Sequence, residues 1–246
     1  MLIIVASILM LLFLAVKRRT LGLIAWISTG VAFLQRVPYF LSIGDYFNAT
    51  VFALAFFFFV LLGYTTLKGD LDVMVQVTRF SFLAMLFYFP FELYEPFRRA
   101  LIRTVVDQTF MLGRAIGFDF ERLGWDEITL NDRGIRIILP CTGIESMSLY
   151  AGACLGVKAD LSRRLKAFLV SVPTIYVLNL FRAVFVLASY GYSWFGENSF
   201  YIAHNVVSKF LALASLIVIT LVVFKILPEL EDLIVNLKRE IERVVR

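Results

Sequence analysis

Hydrophobic residues in this chain come in long blocks rather than in alternation with polar ones. The blocks fall at roughly 1–16, 20–35, 49–66, 73–91, 141–157, 165–190 and 203–227. A hydrocarbon core of about 30 Å takes about 20 apolar residues in a helix, with a range of about 17 to 25. The pattern therefore predicts an all-α, polytopic transmembrane helical bundle of about seven spans. The first, second and fifth blocks are short, so they must stand upright or thin the bilayer.

The stretches between blocks predict three further elements. Residues 96–118 read as a helix lying on or dipping into the membrane surface, with Leu101, Val105, Phe110, Leu112 and Ile116 among charged residues. Residues 127–139 read as a small β-hairpin, with Asn131-Asp132-Arg133-Gly134 between Ile128/Leu130 and Ile135/Ile137. After Pro140 a helix is expected to start at about Cys141. The tail, 228–246, carries Leu230, Leu233, Ile234, Leu237, Ile241, Val244 and Val245 at helical spacing, with acidic residues early and basic ones late. It reads as an amphipathic helix on the cytoplasmic surface, or against a partner. The expected organisation is one integral membrane domain, 1–227, and this tail. Within that domain the surface helix and hairpin occupy about 96–139, and the chemistry-bearing region about 140–210.

Charge orients the bundle. Lys17, Arg18 and Arg19 follow the first block and no basic residue precedes it. That order argues against a cleavable signal and places the amino end outside. Alternation then puts Lys68, Lys158, Arg163, Arg164, Lys166, Lys225 and the basic tail in the cytoplasm, while the short outer loops 36–48 and 191–202 hold only Arg36. This satisfies the positive-inside rule. The longer outer stretch, 92–140, carries several arginines, but long loops count less in that rule.

Composition sharpens the class. The 246 residues are 60% apolar and 17% charged, which excludes disorder and an ordinary soluble enzyme. The net charge of +5 is distributed between apolar blocks, so it signals topology rather than nucleic-acid binding. Two cysteines and one histidine are too few for a His/Cys zinc site.

Few polar groups interrupt the spans, and each needs a reason. Arg182 lies about eight residues inside the sixth block. Asn179 shares its helical face, making Asn-x-x-Arg. The pair can fix helix packing or serve a ligand. Cys141, in Leu139-Pro140-Cys141-Thr142-Gly143-Ile144-Glu145, sits where a helix start would favour a thiolate; a cysteine there can also be inert. Gly143 permits a tight entry turn. Cys154 reads as packing. His204 opens the seventh block, where it can be structural or catalytic. The topology, derived without these residues, puts Cys141, Arg182 and His204 on the outer side of three successive spans. A thiol, a base and a fixed cation at one depth form a covalent-catalysis set. Glu145, one turn after Cys141, is positioned to orient Arg182 or His204.

Three motifs in order, Cys141-x-Gly143, Asn179-x-x-Arg182 and His204 opening the next span, resemble the exosortase/archaeosortase family of membrane transpeptidases. The likeness covers about 140–210; the compact chain, rich in Ile, Val, Arg and Glu, favours the archaeal branch. It implies an enzyme of the extracytoplasmic face of the cell membrane. Its partners would be exported proteins with a carboxy-terminal sorting signal: a short motif, a transmembrane helix and a basic cluster. The resemblance makes Cys141 the nucleophile that forms a thioester, Arg182 a stabiliser and His204 the general acid/base. A membrane lipid would accept the acyl group. No cofactor and no metal are implied. Arg98, Arg99 and Arg103 are available for an anionic lipid head group. Two other readings use the same residues: a non-catalytic transporter subunit or scaffold, and an acyltransferase acting on lipid alone. Serine and zinc intramembrane proteolysis lack their motifs, Gly-x-Ser-x-Gly and His-Glu-x-x-His.

Overall fold

The computed structural model describes residues 2–246. In chain order the helices are α1 (Leu2–Val16), α2 (Arg19–Leu34), α3 (Val37–Ser42), α4 (Tyr46–Lys68), α5 (Leu71–Leu93) and α6 (Glu95–Ile116). Strands β1 (Glu121–Arg122), β2 (Glu127–Leu130) and β3 (Arg133–Arg136) follow. Then come α7 (Ile144–Gly156), α8 (Leu161–Gly191), α9 (Ser199–Tyr201), α10 (Ser208–Ile226) and α11 (Pro228–Val245). The molecule is a multi-pass helical membrane protein.

Among the described residues, five stretches are long and apolar enough to cross a membrane: Arg19–Ser42, Tyr46–Lys68, Leu71–Leu93, Leu161–Gly191 and Gly196–Ile226. The other two of the seven blocks are α1, with 15 residues, and α7, with 13. At 1.5 Å per residue α7 is only about 20 Å long. It is apolar because it is an interior helix, packed between α5 and α8. Its small residues allow that closeness. A Cβ on Gly152 would lie 2.6 Å from the backbone N of Ala84 and the carbonyl O of Phe80. Gly152→Val should therefore part α5 from α7 and destabilise the bundle by about 1–3 kcal/mol. Thermal unfolding in detergent checks this, and an unchanged Tm would contradict the tight packing.

Packing divides into three apolar clusters. Met10, Trp26, Leu62, Met74 and Val77 join α1, α2, α4 and α5. Ile144, Met147, Cys154, Ile175, Ile219 and Val223 join α7, α8 and α10. Ile102, Val105, Val106, Phe120, Ile128 and Leu130 meet Leu180, Val184 and Leu187 of α8.

The third cluster gives the 96–118 helix a partner within the chain: α6 buries its apolar side against α8 and the sheet. The reason is length. The 31 residues of α8 extend about 46 Å, well beyond a hydrocarbon core of about 30 Å. Its last turns need another cover, which α6 and the strands provide. Tyr176 donates its hydroxyl to Gln108 Oε1 at 2.7 Å, tying α8 to α6. The three arginines proposed for lipid are engaged within the chain. Arg98 donates to the carbonyls of Phe91 and Glu92. Arg99 pairs with Glu95 and lies over the Trp125 ring. Arg103 faces Asp107 at 3.9 Å.

The strands form one antiparallel sheet, ordered β1-β2-β3. Leu130 pairs with Arg133 and Ile128 with Ile135, so Asn131 and Asp132 alone make the turn. Both have positive φ, 52° and 60°, the left-handed pair of a two-residue hairpin turn. Arg133 Nη1 donates to the Tyr190 carbonyl at 2.9 Å, clamping the hairpin on the end of α8.

At the opposite end of α8 lies α11. Leu230 and Leu233 are buried, and Leu237 and Ile241 pack on the cluster around Trp26. The tail's apolar side is thus covered by its own bundle. Glu229 pairs with Arg163, and the Glu229 backbone N–H together with Arg163 holds its carboxyl below the usual range. Glu240 accepts from the Asp70 N–H at 2.8 Å. Arg19 donates to the carbonyls of Thr66, Leu67 and Gly69, which the end of α4 leaves without intrahelical partners. Residues assigned by charge to one face of the membrane therefore gather at one end.

Candidate active site

The site is built at the sheet-covered end by three segments remote in sequence. The first is the connection from β3 into α7. Pro140 sits at the start of a 3-10 turn, Leu139–Thr142, which contains Cys141. The α-helix begins only at Ile144, three residues later than the sequence pattern predicts. Gly143 causes the delay. Its φ of +78° is left-handed, so the chain turns sharply between the cysteine and the helix. Cys141 is consequently not a residue of α7; it is displayed on the turn that precedes it, half-buried and with a free thiol.

The second segment is the outer half of α8. Asn179 is buried, and its Nδ2 donates to the Cys141 carbonyl at 2.7 Å. A Cβ on Gly143 would press on Asn179 Cβ and Cγ at 3.2 Å. Asn179 and Gly143 therefore fit together, and the fit fixes the Cys141 backbone on α8. This assigns the Asn of Asn-x-x-Arg a definite partner. Asn179→Ala should detach the turn and leave a buried carbonyl unpaired, costing about 1–3 kcal/mol. The check is Cys141 alkylation by a maleimide in detergent, which should quicken; an unchanged rate would mean that the bond does not hold the turn.

Arg182, one turn beyond Asn179, has no ion pair among the described residues, and its Nε is buried with no hydrogen-bond partner. The third segment is the entry to α10. Here the helix opens into a π-helical turn, Ile202–Val207, containing His204. Such wide turns frequently mark functional sites. The imidazole stacks on Phe200, with ring centres 5.3 Å apart and planes within 5°.

Cys141, Asn179, Arg182 and His204 line one cavity of about 180 Å³, walled by Ile135 and Arg136 of β3, by Ile137 and Ile138 just after it, and by Val186 and Phe200. A second, larger cavity of about 590 Å³ lies beside it between α7, α8 and α10, and Asn179 and Arg182 belong to both. Glu145 lines this second cavity, not the first. It forms no ion pair with Arg182 or His204 among the described residues, so the expectation that it orients either one gains no contact. Cys154 is fully buried, 3.7 Å from the Ser171 hydroxyl, as packing requires. The sequence alone had pointed to neither the sheet's wall over Cys141 nor the second cavity.

The family model described as Transmembrane exosortase matches residues 1–222. The chain belongs to the exosortase family. Two curated relatives are both named Archaeosortase A. The one from Haloferax volcanii is 27% identical over 241 residues, covering 84% of this chain and 80% of the relative. The one from Natronomonas pharaonis is 28% identical over 192 residues, covering 66% of this chain and 61% of the relative. No solved structure matches the chain. Membership places this exosortase among membrane transpeptidases of protein sorting. The match extends well beyond the motif region, over spans that had offered only hydrophobicity.

Proposed function

We propose that this exosortase is a cysteine transpeptidase that cleaves the carboxy-terminal sorting tail of exported proteins and passes them to a membrane lipid. The observation that carries the reading is the convergence of Cys141, Arg182 and His204 on one small cavity. The catalytic face is the extracytoplasmic one, because the cavity lies at the end of α8 opposite to α11 and the basic loops.

The cleavage point is taken to be an extended segment next to the tail's membrane helix, where its backbone carbonyl is open to attack. The Cys141 Sγ attacks the backbone carbonyl there, and a C–S bond forms. The oxygen takes up negative charge within reach of the unpaired Arg182 guanidinium. Collapse breaks the C–N bond. The thiol's proton passes through His204 to the departing amine, leaving a thioester on Cys141. A hydroxyl or amine of the acceptor then attacks the thioester. The new C–O or C–N bond replaces C–S, and the acceptor's proton returns to sulfur.

The test is to trap the thioester. The full chain would be co-expressed in its host with an exported protein carrying a sorting tail from the same genome. A covalent adduct of the two that is cleaved by neutral hydroxylamine, and mapped by mass spectrometry to Cys141, is the expected result. Tail processing with no hydroxylamine-sensitive adduct, under conditions that slow the acceptor, would overturn thioester chemistry. No processing at all would return the chain to a transporter or scaffold role.

A further inference from the structure

The larger cavity has an uneven lining. At one end are Glu145, Ser146, Asn179, Arg182 and Ser208. At the other are Ile175, Leu216 and Ile219, together with the methyl and hydroxymethyl groups of Ala212 and Ser215. Along α10 the distance from Ser208 to Ile219 is eleven residues, about 16 Å. The polar end contains two buried groups with no partner among the described residues: the Arg182 Nε and the Ser208 hydroxyl, Ser208 being 2% exposed. An unpartnered donor in a low-dielectric site is costly unless something arrives to meet it. The groove's rim is formed by Leu178, Phe181 and Leu211, all exposed, so it opens sideways between α8 and α10, both apolar enough to cross a membrane.

We propose that this groove is the acceptor site: it holds one hydrocarbon chain of a phosphate-headed lipid, with the head group at Arg182 and Ser208. The inference rests on the transpeptidase reading and adds to it where the acceptor waits. The lining selects the occupant. An unpartnered guanidinium nitrogen and hydroxyl at one end, followed by an apolar wall about 16 Å long, complement a phosphate head group and one hydrocarbon chain. Arg182 is the shared wall of the two cavities. The lipid's phosphate would therefore lie one side chain away from the thioester, and its hydroxyl or amine would need to pass only Asn179 and Arg182 to reach it. In the transfer step the acceptor's O–H or N–H is replaced by a bond to the acyl carbon, the C–S bond breaks, and the proton ends on the Cys141 sulfur.

Two measurements test this. In the first, the purified full chain is placed in phosphatidylglycerol vesicles containing a trace of the same lipid with a photoactivatable diazirine on its chain. After illumination, label is expected to concentrate on the groove-facing residues of Ile175–Phe185 and Leu211–Ile219. It should exceed the label on outward residues such as Leu213 and Val218. Ala212→Trp, which fills the groove at mid-depth, should lower groove labelling about tenfold, as expected for excluding two or more methylenes worth about 0.8 kcal/mol each. Excess inorganic phosphate should not reproduce the loss; if it does, the site binds free anion and not lipid. Label spread evenly over all lipid-facing residues of the wild type would overturn the proposal. In the second, Ala212→Trp is co-expressed with the tailed protein. The Cys141 thioester should accumulate while lipid-linked product falls. If the thioester disappears from this variant alone, the groove serves the donor's helix and the proposal is wrong. If it is missing from the wild type too, the transpeptidase reading fails, whereas the photolabelling still reports on the groove.

Discussion

Cys141→Ala is expected to abolish tail processing, with a loss of at least about a thousandfold. Removal of a covalent nucleophile leaves only the catalysis supplied by binding and charge stabilisation. The geometry keeps the test clean. Asn179 holds the Cys141 backbone carbonyl, not its side chain, and the turn is also fixed by the Thr142 hydroxyl on the Leu139 carbonyl at 2.7 Å. Truncating the thiol should therefore leave the turn and the protein level unchanged. Membranes from cells co-expressing the variant and an exported protein with a sorting tail would be compared by gel shift. Full-length substrate should persist at wild-type enzyme level. Equal processing in both strains would exclude Cys141 as nucleophile and leave the transporter or scaffold reading in the lead. Cys154→Ala in the same assay should retain processing, since that side chain is enclosed among α7 and α8 residues.

Arg182→Ala carries the second largest expectation, a loss of about a hundred- to a thousandfold, typical of removing one donor from a developing oxyanion. Arg182→Lys should restore part of it, because an ammonium supplies charge without the planar fork. Stability separates this role from a merely structural one. Removing one member of a buried ion pair orphans the other and costs about 3–5 kcal/mol. Arg182 has no such partner among the described residues, so Arg182→Ala should leave the Tm level or raise it. Lost processing together with a substantially lowered Tm would mean that the guanidinium holds the fold together, and the catalytic assignment would lose its support.

The contrast between Asn179 and Glu145 shows how far residue patterns reach. Both were marked by being polar within apolar helices. Asn179 proved to be a bracket for the Cys141 turn. Glu145 shares the larger cavity with Arg182 and forms no ion pair with it or with His204 among the described residues. Its spacing from Cys141 implied a shared helical face, but the left-handed Gly143 breaks the helix between them, so spacing no longer sets direction. The same residue explains why the helix begins late. The hairpin was legible because Asn-Asp between short apolar runs encodes a turn locally. Its role as a wall of the site was not, because that depends on how far α8 projects beyond the membrane.

The sequence by itself determined the class of this protein. Block hydrophobicity made it a polytopic bundle, charge between blocks separated the two ends, and three short motifs named the candidate chemistry. These are local properties, written in composition and in spacing along the chain. Only the tertiary structure decided that α7 is an interior helix, that α6 covers α8, and that α11 folds back on its own bundle. It also decided that Cys141, Arg182 and His204 line one cavity with a larger one alongside. Those outcomes depend on how helices of unequal length, 13 residues in α7 against 31 in α8, bury their sides on one another. Packing between segments far apart in sequence leaves no periodic trace in either segment.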